Sequence, residues 1–429
     1  MDAKEPILFK SFPALKDKVP WIPLLKNIPT PVDRLTELEK YFNMSNNGAI
    51  YIKRDDMDHD IYGGNKLRKF EFLFGEALKK KKKGMQTFGG VGTNHGLAAA
   101  IVSKDLGMKC DLFLANQPLT WHVQRSLLLF DHFGAKLHYA KGYGSIALKG
   151  GMFRLFHPKY YMMLPGGSLF LGRGSPLGTI GYINAFFEFK NQIEDGKLPK
   201  PDTIFVAGGS TGTAAGLIAG CKLLGLDIDF KIVAVSDLMF VNTKSIIKNC
   251  NVTLDYLQEI DDSLPKVKVD RDDFEIYNDY LGSEYGVKTS RGQKAVDTVI
   301  ELEGKKIGFK LETTYTGKTV AGLIDYLSKD ENKSKKVLFW NTYNSNDLDV
   351  LLRKIGFDWK NLPKKLHKFY EIKFQCWQIN DCPPETREKC PAYLNHEYRF
   401  WKVTKCSLGE EKHDFAKEQL ANVIEFEDA

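Results

Sequence analysis

The sequence predicts an α/β fold with open, mostly parallel sheets, and three observations carry the prediction. Short β-branched or aromatic runs alternate with longer helical patterns from about residue 49 to residue 352. Glycine-rich loops stand where strands give way to helices. The chain is 43% apolar and 27% charged, enough to bury a sizeable core and unlike a disordered or fibrous protein. Strand–helix alternation over such a length covers both faces of a parallel sheet with helices. Sheets of that kind take ligands in the loops at the carboxyl ends of their strands.

Taken in order, AIYIKRD (49–55) is a predicted strand, and 65–83 a helix with Leu67, Phe70, Phe74, Ala77 and Leu78 on one stripe. MQTF (85–88) is a strand, followed by a glycine loop and the helix LAAAIVSKDLG. Residues 110–115 form a strand, 120–133 a helix and 136–140 a strand. The alternation resumes with TIFVA (203–207), a glycine loop, the helix GLIAGCKLLG, KIVAV (231–235), a helix over 290–302 and VLFWN (337–341). No internal repeat interrupts it.

At 429 residues the chain is close to three times the ~150-residue domain prior. The character changes near residue 358. Residues 360–429 contain no glycine before Gly409 and hold four of the seven cysteines. We therefore divide the chain into a main region, 1–358, and a C-terminal extension, 359–429. The net charge of +7 arises from 61 Lys+Arg against 54 Asp+Glu. Its densest run, Lys79 to Lys83, ends a predicted helix, where cations answer the helix dipole, and no aromatic interleaving points to nucleic acid. No apolar run approaches the ~18 residues of a membrane span. The start, MDAKEPILFKSFPALKDKVP, lacks the basic-then-apolar order of a signal peptide. A cytoplasmic protein with reduced thiols is the expectation.

Three glycine loops are candidate sites: GGNK (63–66), GGVGTNHG (89–96) and AGGSTGTAAG (207–216). In the third, small residues let the backbone close on an anion. Ser210, Thr211 and Thr213 add hydroxyls, and the next helix points its first N–H groups at the site. It has no Gly-Lys-Ser/Thr ending, and the chain has no Gly-x-Gly-x-x-Gly, so neither a nucleoside triphosphate nor a dinucleotide is expected. Lys66 stands at a helix mouth after Gly63 and Gly64, with Arg68 and Lys69 one turn on. Neighbouring cations and helix amides depress a lysine pKa and make the amine a nucleophile. A lysine amine, an anion nest and small polar loops together suggest pyridoxal phosphate, whose aldehyde condenses with lysine.

The segments PTPVDRLTEL (29–38), YIKRDD (51–56), GGNKLRKFEFL (63–73), FGGVGTNHG (88–96), SPLGTIGY (175–182), AGGSTGTAAGL (207–217), EYGV (284–287) and YTGKTVAGLIDYL (315–327) carry a resemblance. Over 20–355 the chain resembles the D-cysteine desulfhydrase and 1-aminocyclopropane-1-carboxylate deaminase group of pyridoxal-phosphate enzymes. That group has the fold of the tryptophan synthase β-subunit, type II among such enzymes. The resemblance implies two subdomains, the smaller over roughly 80–175, and a homodimer. It also implies roles. Lys66 matches the lysine joined to the cofactor, which also moves the α-proton. Asn94 matches the partner of the ring hydroxyl. Lys69 and Gly209, Ser210, Thr211, Gly212 and Thr213 match the phosphate cradle. Thr93 stands where a serine near the substrate carboxylate is usual. Tyr285 and Tyr315 match two tyrosines of the substrate pocket. Thr316 matches the partner of the pyridine nitrogen.

Thr316 is the informative position, because a hydroxyl donates to a neutral nitrogen whereas a carboxylate keeps the nitrogen protonated. The ring then withdraws electrons less strongly. Such a site suits elimination of a good β-leaving group and disfavours cyclopropane opening. Thr342, where the deaminases have leucine, points the same way. The resemblance implies α,β-elimination from a small amino acid, D-cysteine first or a related thiol or sulfonate amino acid, to a 2-oxo acid, ammonia and, from D-cysteine, sulfide. The alternatives are the cyclopropane-opening deaminase and a cofactor- or amino-acid-binding sensor. Asn341-Thr342-Tyr343-Asn344 depart from the family's histidine-threonine-glycine-glycine, and Tyr343 brings bulk where glycine leaves space.

In the extension, Cys376-Trp377, Cys382, Cys390 and Phe400-Trp401 with Cys406 resemble cysteine-tryptophan modules appended to bacterial signalling proteins. Four thiolates suffice for a tetrahedral zinc site, but separations of 5, 7 and 15 residues are not zinc-ribbon pairs. Small apolar fillers, a metal site and a redox site stay open as readings, and no metal is assigned. His367, His396 and His413 are expected at the surface rather than as ligands.

Overall fold

The computed structural model describes residues 5–169, 174–283, 285–355 and 358–371. Cys376, Cys382, Cys390 and Cys406, with His396 and His413, lie outside the described residues. The chain divides into two compact units. The first is Met1–Thr87 with Arg154–Asn346, and the second is Phe88–Phe153 with the described residues from Asp347 onward.

The described strands are β1 (Val32–Arg34), β2 (Ala49–Arg54), β3 (Gly84–Gly90), β4 (Lys109–Ala115), β5 (Ala135–Ala140), β6 (Tyr160–Met162), β7 (Thr203–Gly208), β8 (Asp229–Ala234), β9 (Phe274–Tyr277) and β10 (Lys336–Asn341). The first unit carries a six-stranded sheet in the order β1-β2-β10-β7-β8-β9. Only β1, at its edge, runs antiparallel. The last of the described strands thus enters between β2 and β7, pairing Asn341 with Arg54 and Val337 with Thr203. The carboxyl ends of three adjacent strands therefore release their loops side by side. This is the mostly parallel α/β architecture that the alternation predicts. The short strands β1, β6 and β9, of three or four residues, carry too little pattern to read in sequence.

Successive side chains of β10 face opposite ways. Val337 and Phe339 join the apolar cluster of Val320 and Leu323 from the helix Thr316–Leu327. Trp340 faces the other layer, where its indole N–H donates to Asp55 (2.6 Å). The helix Asn65–Lys79 stops short of the predicted residue 83, because Lys81 takes a left-handed conformation (φ 52°). Leu67, Phe70, Phe74 and Ala77 are buried as the stripe requires, whereas Leu78 is 39% exposed.

The helix Leu177–Glu194 has no counterpart among the elements that periodicity predicts. It is buried almost all round, so it lacks the polar face that makes a helix legible. It crosses the Asn65–Lys79 helix at Gly181, where a Cβ would stand 2.1 Å from the Arg68 carbonyl oxygen. Between the two helices lies a sealed ionic network. Lys53 donates to Glu188 (2.7 Å), and Arg68 pairs with Asp55 (2.8 Å) and Glu188 (3.0 Å). The helix that presents Lys66 is thereby anchored through its next turn.

In the second unit β4 and β5 pair in parallel, and the helices Asn94–Asp105 and Trp121–His132 pack on one another. A four-stranded sheet runs in the order β5-β4-β3-β6. No helix among the described residues is long and apolar enough to cross a membrane.

Candidate active site

Lys66 owes its position to the loop after β2. The N–H of Gly63 donates to the Asn344 side chain (2.8 Å), that of Gly64 to the Asp55 carbonyl (2.8 Å), and that of Asn65 to the Thr342 carbonyl (3.1 Å). The segment 63–65 is therefore stitched to the loop that leaves β10. Gly64 has φ 105°, and a Cβ there would stand 2.7 Å from the Thr342 oxygen, so only glycine passes at this point. Asn344, one of the departures from the family pattern, spends its side chain on holding this loop.

The amine of Lys66 donates to the Asn65 side-chain oxygen (2.6 Å), and the Asn65 amide donates to the Thr213 hydroxyl (3.1 Å). Burial lowers the Lys66 pKa from 10.5 to about 8, opposed by the carboxylate of Glu312. About a tenth of the amine is thus unprotonated at pH 7, against well under a thousandth for an ordinary lysine, which supplies the nucleophile or base.

Opposite Lys66 two loops face each other across Lys69. The Lys69 amine donates to the Gly166 carbonyl (3.0 Å), and Ser168 donates to the Ser210 carbonyl (3.2 Å). A Cβ at Gly212 would stand 2.3 Å from the Ser168 Cβ and 3.2 Å from the Lys69 amine, so the glycine keeps the walls close. Burial, and then the charge of Lys66, push the Lys69 pKa well below its usual value. The Lys69 side chain is wholly buried, and among the described residues it makes no ion pair. A buried amine without a carboxylate, aimed where the Gly212–Leu223 helix opens, suits an anion. Thr213 accepts from Asn65 and keeps its hydroxyl hydrogen to donate. The Thr211 hydroxyl is engaged inside the protein, donating to the Ser210 carbonyl (2.8 Å) and accepting from Asn249 (2.7 Å).

Thr316 begins the helix Thr316–Leu327 and is wholly buried. Its hydroxyl accepts from the Glu312 N–H (2.9 Å). The Glu312 carboxylate accepts from the N–H groups of Thr314 (2.7 Å), Tyr315 (2.7 Å) and Thr316 (2.9 Å), closing the helix N-terminus with a negative charge. Glu312 is absent from the residues that the sequence singles out, although an acid just ahead of a helix start is a capping signal. Tyr315 lies over Gly209, where a Cβ would be 3.2 Å from its ring, and its hydroxyl bonds that of Tyr285. Lys66, Lys69, residues 209–213, Tyr285, Tyr315 and Thr316 are thus gathered in one unit by a continuous chain of contacts.

Because Glu312 opposes the fall in the Lys66 pKa, Glu312→Gln is expected to lower it further. The pH midpoint at which the protein combines with an aldehyde should move below about 8, followed as rate against pH. An unmoved midpoint would show that Glu312 does not act on the amine.

Thr93 and Asn94 belong to the second unit. Thr93 caps the helix Asn94–Asp105, its hydroxyl accepting from the Gly96 N–H (3.2 Å). The loop before it is held by Gln117, which accepts from the Gly92 N–H (3.1 Å), and by His122 at the Gly92 carbonyl (2.8 Å). Burial, and then Arg125, lower the His122 pKa to about 4. The ring is therefore neutral at working pH, donating from Nε2 to Gly92 and accepting at Nδ1 from Arg125 (3.2 Å). Cys110, Cys221 and Cys250 are buried, and burial raises the first two thiols to about 12. No group of residues able to hold a metal ion occurs among the described residues.

Residues 24–342 match the family described as pyridoxal-phosphate dependent enzyme. A D-cysteine desulfhydrase of Salmonella newport is 32% identical over 326 residues, covering 73% of this chain and 91% of that protein. The D-cysteine desulfhydrase of Salmonella typhi is likewise 32% identical over 326 residues, with the same coverage. A crystal structure of an ACC deaminase homologue matches with a TM-score of 0.63 and 28% identity, over 79% of this chain and 95% of that one. A hydrogen sulfide-producing enzyme from Fusobacterium nucleatum shares the fold, with a TM-score of 0.50, 16% identity, and 74% of this chain and 96% of that chain covered.

The first unit suits the cofactor of that family. An aldehyde needs a primary amine of lowered pKa, as at Lys66, and a phosphate ester needs a buried amine without a carboxylate at a helix N-terminus, as at Lys69, where the ester's own charge would favour the protonated form.

Proposed function

This chain belongs to the pyridoxal-phosphate dependent enzyme family, as a lyase of it, and on that premise we propose that its substrate is D-cysteine or a close relative with a thiol on the β-carbon. D-cysteine and water would give a 2-oxo acid, ammonia and sulfide. The observation that carries the reading is the neutral hydroxyl of Thr316 at the first turn of its helix. It accepts the Glu312 N–H (2.9 Å), and its single hydrogen, held only by long bonds to the Glu312 carbonyl (3.3 Å) and carboxylate (3.4 Å), would turn from these to a ring nitrogen. A hydroxyl, unlike a carboxylate, brings no charge of its own to keep a ring nitrogen protonated.

Bound pyridoxal phosphate supplies an aldehyde for the amine and an electron sink for the substrate α-carbon. The rest is the work of the chain. Lys66 would hold the aldehyde through its amine and, as a free amine, would take up the substrate α-proton. Lys69, Ser210, Thr213 and the helix N-terminus would hold the phosphate. Tyr315 and Tyr285, whose hydroxyls bond one another, would line the substrate side.

The test is turnover by the full-length protein on D-cysteine, L-cysteine and 1-aminocyclopropane-1-carboxylate, followed as 2-oxo acid and ammonia. Release of sulfide from D-cysteine is expected. The deaminase reading has the ACC deaminase homologue at 28% identity in its favour, and turnover of the cyclopropane substrate alone would select it. Thr316→Glu is expected to slow sulfide release by roughly tenfold or more, since a carboxylate would keep a ring nitrogen protonated and strengthen the electron sink that competes with departure of the leaving group. Unchanged rate and absorption spectrum would remove Thr316 from the account.

A further inference from the structure

Thr211 sits at the centre of the anion loop in a conformation that its side chain opposes. Its φ is 62° and its ψ −28°, left-handed, and it is β-branched. The turn about it is closed by the Gly212 N–H donating to the Ser210 carbonyl (2.8 Å). Such a residue persists only where its surroundings over-determine it. Here they do, through one side chain distant in sequence. Asn249, 2% exposed on the helix Thr243–Ile260, donates from its amide to the Thr211 hydroxyl (2.7 Å) and to the Leu169 carbonyl (3.2 Å). Its oxygen accepts from the Thr179 hydroxyl (3.4 Å). Thr211 belongs to one wall around Lys69, and Leu169 continues the other, which Gly166 and Ser168 begin. One amide thus ties both walls and holds the left-handed residue that turns the loop.

We propose that Asn249 is the positioning residue of the phosphate cradle, keeping Thr211 left-handed and the two walls at the spacing that Lys69 spans. The inference rests on the cofactor reading and deepens it. Asn249 does not touch the phosphate. It makes the cradle preformed, so that binding need not order the loop.

The test uses the cofactor-free full-length chain, titrated separately with pyridoxal phosphate and with pyridoxal, which lacks the phosphate, following absorbance. Asn249→Ala is expected to raise the Kd for pyridoxal phosphate by roughly 10- to 100-fold, the scale of lost buried hydrogen bonds. The Kd for pyridoxal should change by less than about threefold, because its aldehyde combines with the Lys66 amine and it has no phosphate for the cradle to hold. Thr211→Val, which keeps the shape and deletes the hydroxyl, should show the same selective loss and serves if Asn249→Ala fails to fold. Adding Thr211→Gly to Asn249→Ala should recover about tenfold of the affinity, since glycine adopts φ 62° without steric cost. Equal loss for both ligands, no loss for either, or further weakening on Thr211→Gly would overturn the inference. A wild type that takes up no pyridoxal phosphate would instead overturn the reading on which it rests, so the two failures are distinct.

Discussion

Lys66→Ala is expected to lower turnover by roughly 10⁴-fold, the upper scale for removing a positioned proton-transfer group. Borohydride should no longer fix the cofactor to the peptide containing residue 66. The reason is local. Lys66 and Lys69 stand one turn apart on the same helix, yet only Lys66 has its pKa held at about 8 by burial against a facing carboxylate. Lys69, bonded to the Gly166 carbonyl, lies in the cradle instead. Lys69→Ala should therefore raise the Kd for pyridoxal phosphate, whereas Lys66→Ala should leave non-covalent binding largely intact and remove the chemistry. Lys66→Arg keeps the charge but supplies no nucleophile, because a guanidinium does not deprotonate in proteins, and should be as inactive as the alanine variant. Retained turnover or retained covalent fixation in Lys66→Ala would overturn the assignment.

Arg68→Met is expected to cost about 3–5 kcal/mol of stability, read as a shift of the denaturation midpoint, because it strands buried carboxylates. Arg68 pairs with Asp55 (2.8 Å) and Glu188 (3.0 Å), all with side chains at most 4% exposed. Burial pushes the Glu188 carboxyl up, but the charges and hydrogen bonds of Arg68 and Lys53 outweigh it and hold the pKa below the ordinary 4.5. A carboxyl whose folded pKa is depressed contributes stability above its unfolded value and loses it as the pH falls. Wild type should therefore weaken below about pH 4.5 as this network protonates. Arg68→Met should already be weak at neutral pH, with a flatter acid dependence. A variant as stable as wild type would show that the ionic network is not what anchors the Lys66 helix.

The local features of the site are legible in the sequence. A glycine that must pass close to a neighbouring backbone, as at Gly64, and a lysine at the mouth of an amphipathic helix leave their mark within a few residues. So does a small-residue loop between a strand and a helix, as at 207–213. Asn344 and Asn249 are not legible as functional. In sequence Asn344 is a departure from the family pattern that promises a reshaped pocket, and only the bond to the Gly63 N–H shows its use. Asn249 is a polar interruption of a helix whose buried stripe is Ile246, Asn249, Cys250, Thr253, Leu254 and Leu257. A buried amide on an apolar stripe is a signal, but nothing local says what it bonds.

Composition, periodicity and turn chemistry by themselves determined the parallel α/β class and singled out the two glycine loops of the first unit and Lys66 as the candidate site. These properties arise from each residue's own backbone preferences and from contacts a turn away. The tertiary structure alone decided that β10 enters between β2 and β7, that Glu312 faces Lys66, and that Asn249 reaches both walls around Lys69. Those partners lie tens to hundreds of residues apart. Hydrogen bonds and charges act over a few ångströms of space, whereas sequence pattern records only neighbours along the chain.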